Sequence, residues 1–375
     1  MISTTHHAES SAPALYVALE LSTKEWWLTM SISPQVRARR RRIAVGDRAA
    51  LAQAIAAGKA AFQVPEHAPV RTCYEAGRDG FWPHRLLTTC GIVNLVVDSS
   101  SIEITRRAKQ AKTDRLDGGK LLRLLMRHWG GERDMWQVVR VPRPEIEDER
   151  HASRTRTTLQ IERTRYRNRI HALLMLHGAR LPIDRALPER LPHARDWAGH
   201  QLPAGVQTRI LAMWTLLAAV EAARAQARRA ETQAIKTAAA GTCARGLTQL
   251  RGVGARSATV LAAELFTRDL RNRREVGGLT GLVSAPHQSG QRRVDQGLTR
   301  GGLPRVRHIA GQLAWAWLRY QPASALARWY RERFGGRGVI AQRIGIVALA
   351  RRLVIALWRY VTVGIVPDGA LLKAA

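Results

Sequence analysis

Between Leu15 and Trp129 the chain changes repeatedly between a two-residue and a helical hydrophobic period. Leu15-Tyr-Val-Ala-Leu-Glu-Leu21, the turn Ser22-Thr-Lys-Glu25 and the return Trp26 to Ile32 predict two strands. A third strand is expected near Ile43 to Val45, a helix over Ala49 to Phe62, a strand from Val70 to Tyr74 and a helix from Phe81 to Cys90. Ile92-Val-Asn-Leu-Val-Val-Asp98 is an almost unbroken apolar run, as expected of a strand covered on both faces. Thr113 to Trp129 then carries Leu116, Leu121, Leu124 and Leu125 at helical spacing. Strand, strand, strand, helix, strand, helix, strand, helix is the element order of a ribonuclease-H-like α/β domain, assigned to residues 14–135.

Pro142 and Pro144 mark a boundary. Beyond it, Glu145 to His177 and Gly205 to Ala240 read as two long helices around a Pro-rich connector, Leu181 to Pro203, which predicts a helical coiled-coil arm over 145–240. The arm's arginines, Arg154, Arg156, Arg163, Arg165, Arg167 and Arg169, suit either a phosphate backbone or a solvated face. A mostly α-helical domain is expected over 241–365. In it, Arg251-Gly252-Val-Gly254 before a helix from Ala255 to Leu265 has the shape of a helix-hairpin-helix, whose glycine amides can approach a phosphate. Further helices are expected over Leu303 to Tyr320, Ser324 to Phe334 and Val339 to Val361, with Trp315, Trp317, Trp329 and Trp358 as packing residues.

Charge narrows the partners. The 375 residues hold 60 Lys and Arg against 29 Asp and Glu, a formal net charge of +31. A surplus that large points to phosphate polyanions, and arginine, which dominates it, pairs bidentately with phosphate. The most apolar stretch, Ile344 to Val366, is broken by Arg351, Arg352 and Arg359, which argues against a membrane span. Cys73, Cys90 and Cys243 have neither zinc-site nor disulfide-framework spacing, so a reducing cytoplasm is the expected location. The Arg37 to Arg42 run falls in the predicted turn before the third strand and suits a nucleic-acid backbone or a solvated loop equally.

Two sets of residues carry candidate chemistry. Glu20 in the first strand, Glu75 after the fourth, and Asp114 with Asp117 on one face of the last helix fall where a ribonuclease-H-like domain brings acids together. Such a group suits metal-assisted phosphoryl transfer, because hard Mg²⁺ takes oxygen ligands. Each acid alone also has a structural reading: a helix N-terminus for Asp114 and Asp117, a turn for Glu75, a solvated edge for Glu20. In the second set, Pro286-His-Gln-Ser289-Gly290 is followed by Arg292, Arg293, Arg300, Arg305 and Arg307, which places a small hydroxyl among phosphate-binding cations. By itself the Ser-Gly pair is an ordinary turn signal, and the arginines then bind DNA without chemistry.

Tyr74-Glu-Ala-Gly77, Ala111-Lys-Thr-Asp-Arg-Leu-Asp117 and Gln288-Ser-Gly290, with downstream Gly297 and Thr299-Arg-Gly-Gly-Leu-Pro-Arg305, resemble the insertion sequence 110 family of DEDD transposases over nearly the whole chain. The resemblance implies a RuvC-like N-terminal domain, a coiled-coil insertion used in assembly, and a C-terminal transposase domain whose serine, Ser289 by motif match, joins covalently to DNA. It implies that Glu20, Glu75, Asp114 and Asp117 bind Mg²⁺ and meet the serine in a composite site between protomers. Double-stranded donor and target DNA, a structured element-encoded noncoding RNA, and a homo-oligomer, dimer or tetramer, are the implied partners. The implied reaction is Mg²⁺-dependent strand exchange. A metal-only junction endonuclease and a catalytically silent nucleic-acid-binding derivative are the alternatives. One departure stands out: the family's first acid is usually Asp, and Glu20 reaches about 1.5 Å further.

Overall fold

Tyr16 to Leu21 pair antiparallel with Trp26 to Ser31, Leu21 opposite Trp26 across the short turn, and this hairpin seeds the N-terminal sheet. The computed structural model describes residues 13–102, 114–239, 241–289, 292–299 and 301–373, with the side chains of 100, 114–117, 285–289 and 292–296 outside that description. The chain forms two units, Met1–Val141 and Pro142–Ala375.

In the first unit, β1 (Leu15–Leu21), β2 (Glu25–Ser31), β3 (Arg39–Ala44), β4 (Val70–Glu75) and β5 (Val93–Val97) form one sheet of order β3-β2-β1-β4-β5. The β1-β2 and β2-β3 pairs are antiparallel, whereas β4 runs parallel to both β1 and β5. Strand alternation sends Leu15, Val17 and Leu19 to one face, where they pack with Leu51 of α1 (Arg48–Ala61) and Leu87 of α2 (Trp82–Thr89). Ala18, Cys73 and Val97 face the other way and pack against Leu121 and Leu125 of α3 (Asp114–Trp129). The start of α1 is set by Asp47, whose carboxylate accepts from the Ala50 amide at 2.9 Å.

The third strand corrects an expectation. It covers Arg39–Ala44, so most of the arginine run is strand rather than turn. Arg40 and Arg42 lie over the Trp27 ring at 4.7 and 5.9 Å and pair with Glu20 and Glu25, each at 3.3 Å. These cross-strand contacts give an arginine-rich segment a reason to be extended, and charge on an edge strand discourages pairing with another sheet.

The second unit begins with α4 (Pro144–Leu176), which starts with proline in its first turn, and α6 (Ala204–Thr237). Arg156 pairs with Glu231 and Arg163 with Glu221, so the two helices run antiparallel. The connector between them, with the short α5 (Leu187–Arg190), folds back as a cap whose Leu187 and Leu191 bury against Ile170, Leu174, Val206 and Ile210.

The rest of this unit consists of α7 (Cys243–Gln249), α8 (Ala255–Val260) running into a π-helical turn Leu261–Phe266, α9 (Arg273–Thr280), α10 (Pro304–Tyr320), α11 (Ala325–Phe334) and α12 (Val339–Val363). Leu250, Leu261, Leu313, Trp317, Leu353 and Leu357 form its core. Trp317 is fully buried, but Trp315, expected to pack, is 55% exposed. The sequence pattern did not predict α9, nor the antiparallel hairpin of β6 (Ser284–Ser289) and β7 (Arg292–Leu298). Among the described residues no helix is long and apolar enough to cross a membrane.

Candidate phosphoryl-transfer site and nucleic-acid interface

Glu20 and Glu75 close two neighbouring parallel strands. Leu19 of β1 is in register with Tyr74 of β4, so the acids follow at the same level on the carboxyl edge of the sheet. Alternation puts them on the face that carries Ala18 and Cys73, the face covered by α3. Burial first, and then the charge of Glu75, push the Cys73 thiol well above its usual range.

The first turn of α3 arrives at the same edge. Gly118 sits so close to Glu20 that a Cβ there would lie 2.1 Å from Glu20 Oε1 and 2.7 Å from Thr29 Oγ1. A glycine inside a helix is unfavourable by propensity, and here its missing side chain leaves a cradle for the carboxylate. Asp117 immediately precedes it and Asp114 opens the helix, so both acids belong to the turn of α3 that leads into Gly118, while their side chains lie outside the described residues.

Among the described residues no group of three or more His, Cys, Asp or Glu forms a metal-holding cluster. Glu20 Oε2 accepts from Arg40 Nη2 at 3.3 Å. The buried Thr29 hydroxyl has no hydrogen-bond partner among the described residues. An oxygen-only donor set beside a glycine cradle and an unsatisfied buried hydroxyl fits a hard divalent cation.

Ser289 ends β6, and its Cα partner is Arg292. The intervening 290–291 lie outside the described residues, as do Arg300 and the side chains of Ser289, Arg292 and Arg293. Ser289 thus closes one strand of an antiparallel pair, and the expected Ser-Gly turn, with Gly290, lies outside the described residues. The Gly-rich tail beyond the hairpin proves to be packing: Gly302, at φ +86°, sits where a Cβ would meet the Gly281 amide at 2.6 Å. Leu303 donates to the Leu279 carbonyl at 2.7 Å and Thr299 to Val283 at 3.0 Å. Arg307 bonds the carbonyls of Gly301 and Thr280, which fastens the same loop to α9.

Arg305 has partners inside the fold. It pairs with Glu264, which is 6% exposed in the π-helical turn, and donates to the Ser153 hydroxyl at 2.9 Å and its carbonyl at 3.1 Å on α4. A guanidinium so occupied fastens the arm to the core. Most arm arginines expected to choose between phosphate and solvent are also spoken for: Arg163 by Glu221 at 2.9 Å, Arg165 by Glu162 at 2.8 Å, Arg167 by the Ile183 carbonyl at 2.7 Å.

A short turn joins α7 to α8 where the helix-hairpin-helix was expected. Gly252 adopts φ +83° and packs on Tyr320 and the Ala316 carbonyl, so its role is conformational. The Arg251 amide donates to Leu371 and its carbonyl accepts from Gln321, leaving the residue exposed. Gly254 opens α8, and with Arg256 it borders a cleft of about 1190 Å³ shared with Arg156 of α4 and Arg224, Arg228, Arg229 and Lys236 of α6. Burial, and then repulsion from Arg256, Arg228 and Arg224, hold Arg156 below its ordinary pKa. Arg256 and the α6 cations escaped sequence reasoning, because only folding brings the hairpin against the arm.

Glu20 and Glu75 on the carboxyl edge of a mixed sheet, a cleft of crowded cations and a charge of +31 suit a protein that works on nucleic acid. A family model described as "Transposase IS116/IS110/IS902 family" matches residues 244–329, the segment that holds the helix-hairpin-helix turn and Ser289. The chain is 38% identical over 376 residues to a provisionally named transposase, y4rJ, of Sinorhizobium fredii (strain NBRC 101917 / NGR234), covering 96% of this chain and 95% of that protein. A second provisionally named transposase of that organism, y4qE, is 29% identical over 270 residues, 69% of this chain and 61% of its own. The chain belongs to the IS116/IS110/IS902 transposase family, and is a DNA transposase.

Proposed function

We propose that the N-terminal unit is a ribonuclease-H-like, RuvC-like domain that holds Mg²⁺ through Glu20, Glu75, Asp114 and Asp117, and that Ser289 is the nucleophile of DNA strand exchange. The sheet order β3-β2-β1-β4-β5 supports the domain reading. The observation that carries the site is Glu20 seated on the glycine of α3 directly after Asp117, on the edge that Glu75 shares.

Held by these four carboxylates, Mg²⁺ would supply charge stabilisation at a phosphate and make a nearby hydroxyl more acidic. The carboxylates position, and Ser289 reacts. Its Oγ forms a bond to phosphorus as one P–O bond of the strand breaks, and the freed hydroxyl end leaves with a proton. The phosphoserine ester keeps the energy of the broken bond, so a second strand's hydroxyl displaces Oγ without ATP. Assembly into an oligomer, where acids and serine of different protomers meet, and guidance by a structured element-encoded RNA follow from the family resemblance. The large basic surplus supports a polyanionic partner of this kind.

The test is to incubate the protein, its element's flanking noncoding RNA and junction DNA with Mg²⁺, and look for a protein-DNA adduct on a denaturing gel. An adduct lost in both Ser289→Ala and Asp114→Asn supports the mechanism. Cleaved DNA without adduct makes water the nucleophile, as in a metal-only junction endonuclease. Binding with neither outcome marks a silent derivative, with Arg40 holding Glu20 in place of a metal.

A further inference from the structure

A groove of about 990 Å³ opens beside the β6-β7 hairpin and has no part in the reading above. Arg273 and Arg274 of α9 and Arg351, Arg352 and Arg359 of α12 line it, with no acid among the lining residues. Trp329, Ile344, Val347 and Ile355 give it an apolar lining, and Ser284, Gly297 and Leu298 of the hairpin border it.

These arginines differ from Arg305 and Arg307. Among the described residues none of the five side chains has a hydrogen-bond or ion-pair partner; Arg352 instead stacks on the Trp329 ring at 4.0 Å. Arg351 lies against α9 so closely that a Cβ at Gly277 would be 3.0 Å from its Nε. Five uncompensated cations in one groove repel one another, and a phosphate chain relieves that repulsion.

We propose that this groove binds an unpaired DNA strand next to Ser289. A duplex hides its base faces and offers a protein phosphates and groove edges, so an aromatic and aliphatic lining gives it little. An unpaired strand exposes both phosphates and π-faces, and a basic channel with a stacking platform is the surface that holds one. An acidic apolar peptide would satisfy the same charges, but the hairpin favours nucleic acid. Ser284, at the groove, and Ser289 are the two ends of the six-residue β6, five steps and about 17 Å apart along the strand. The choice of DNA rests on the reading of Ser289 as nucleophile, since the strand to be cut must pass its hydroxyl.

Fluorescence anisotropy of the full chain with labelled oligothymidine, a duplex of equal length and oligouridine tests the proposal. The variants are Arg352→Glu with Arg359→Glu, both exposed, and Trp329→Leu, each checked by circular dichroism. The charge variant is expected to weaken single-stranded DNA by about tenfold or more, with duplex binding nearly unchanged, and Trp329→Leu to weaken it by several fold. Removing two contacts makes the single-strand salt slope shallower by about 1.4.

Equal losses on duplex and single strand, or no loss, overturn the proposal. Losses confined to oligouridine reassign the groove to RNA and overturn it as well. Ser289→Ala separates the two readings, because it keeps groove-dependent binding while abolishing the adduct. Wild-type protein that binds the single strand through the groove yet forms no adduct refutes the nucleophile and leaves the groove standing. Adducts that form at the wild-type rate in the groove variants at subsaturating DNA refute the groove alone.

Discussion

Gly118→Ala is the sharpest perturbation the structure offers. In an ordinary helix interior this exchange stabilises by about 1 kcal/mol, because alanine restricts the unfolded backbone. In α3 the new Cβ would stand 2.1 Å from Glu20 Oε1, 3.2 Å from its Cδ and 2.7 Å from Thr29 Oγ1. A normal contact needs the carboxylate to retreat by about 1 Å, twice the roughly 0.5 Å that a preorganised site tolerates. A displacement of that size is expected to cost on the order of 10²-fold in rate. Glu20→Asp shortens the side chain by about 1.5 Å and vacates the space the methyl needs. The double variant Glu20→Asp, Gly118→Ala should therefore recover most of the activity that Gly118→Ala loses. Adduct formation in Mg²⁺ gives the rates, and melting in metal-free buffer shows whether each variant is folded. Wild-type rates in folded Gly118→Ala, or a double variant no faster than the single, would refute the reasoning that Glu20 and Gly118 form one site.

Other perturbations follow from the pairings of the fold. Arg305→Ala leaves the buried Glu264 carboxylate only Arg154, at 3.7 Å, as an ion-pair partner and should cost about 2 kcal/mol by urea denaturation, with DNA affinity at low temperature nearly unchanged; lost affinity at unchanged stability would make Arg305 a phosphate contact instead. Arg228→Ala with Arg256→Ala removes two cations from the cleft between hairpin and arm, and should make the salt dependence of duplex binding shallower by about 1.8 in log–log slope; an unchanged slope removes the cleft from the interface. His84 and His128 are both held below their ordinary pKa, chiefly by burial and then by Arg85 and Arg133 respectively. The unfolded chain therefore takes up protons first, so stability is present above the ordinary histidine pKa of about 6.5 and is lost as pH falls below it. Melting followed by tryptophan fluorescence should show a lower Tm at about pH 5.5 than at about pH 7.5, and a smaller drop in His128→Gln; an unchanged Tm contradicts this.

The first unit was legible because its periodicity is strong and local. Leu15 to Leu21, Val70 to Tyr74 and Thr113 to Trp129 appear within a residue or two of their expected ends. Arg39 to Arg42 read as turn because arginine has no apolar alternation; what makes the segment a strand is Trp27 and Glu25 on neighbouring β2 and Glu20 one strand further on, contacts that exist only across the sheet. The β6-β7 hairpin was missed for a related reason. Ser284-Ala-Pro-His-Gln-Ser289 has no hydrophobic face of its own and is held by pairing with β7 and by the glycine-packed loop that follows.

The candidate site was legible as residue types but not in the fit of Glu20 to Gly118. Acids at strand ends and at a helix start are visible as residue types, and the expected difficulty was the extra methylene of Glu20. The remedy lies 98 residues away in sequence, in the second half of a pair formed only when α3 covers β1: Asp117 is followed by glycine, and a longer acid occupies the volume its Cβ would have filled. A single-residue reading scores Glu20 as a departure and Gly118 as a poor helix former, two local faults. Together the two faults cancel, since either one repaired alone, Glu20→Asp or Gly118→Ala, leaves a gap or a clash at the carboxylate. Local rules are broken in complementary ways where a carboxylate must be held to a fraction of an ångström, and that complementarity, more than the presence of acids, argues that the edge of this sheet is built for chemistry.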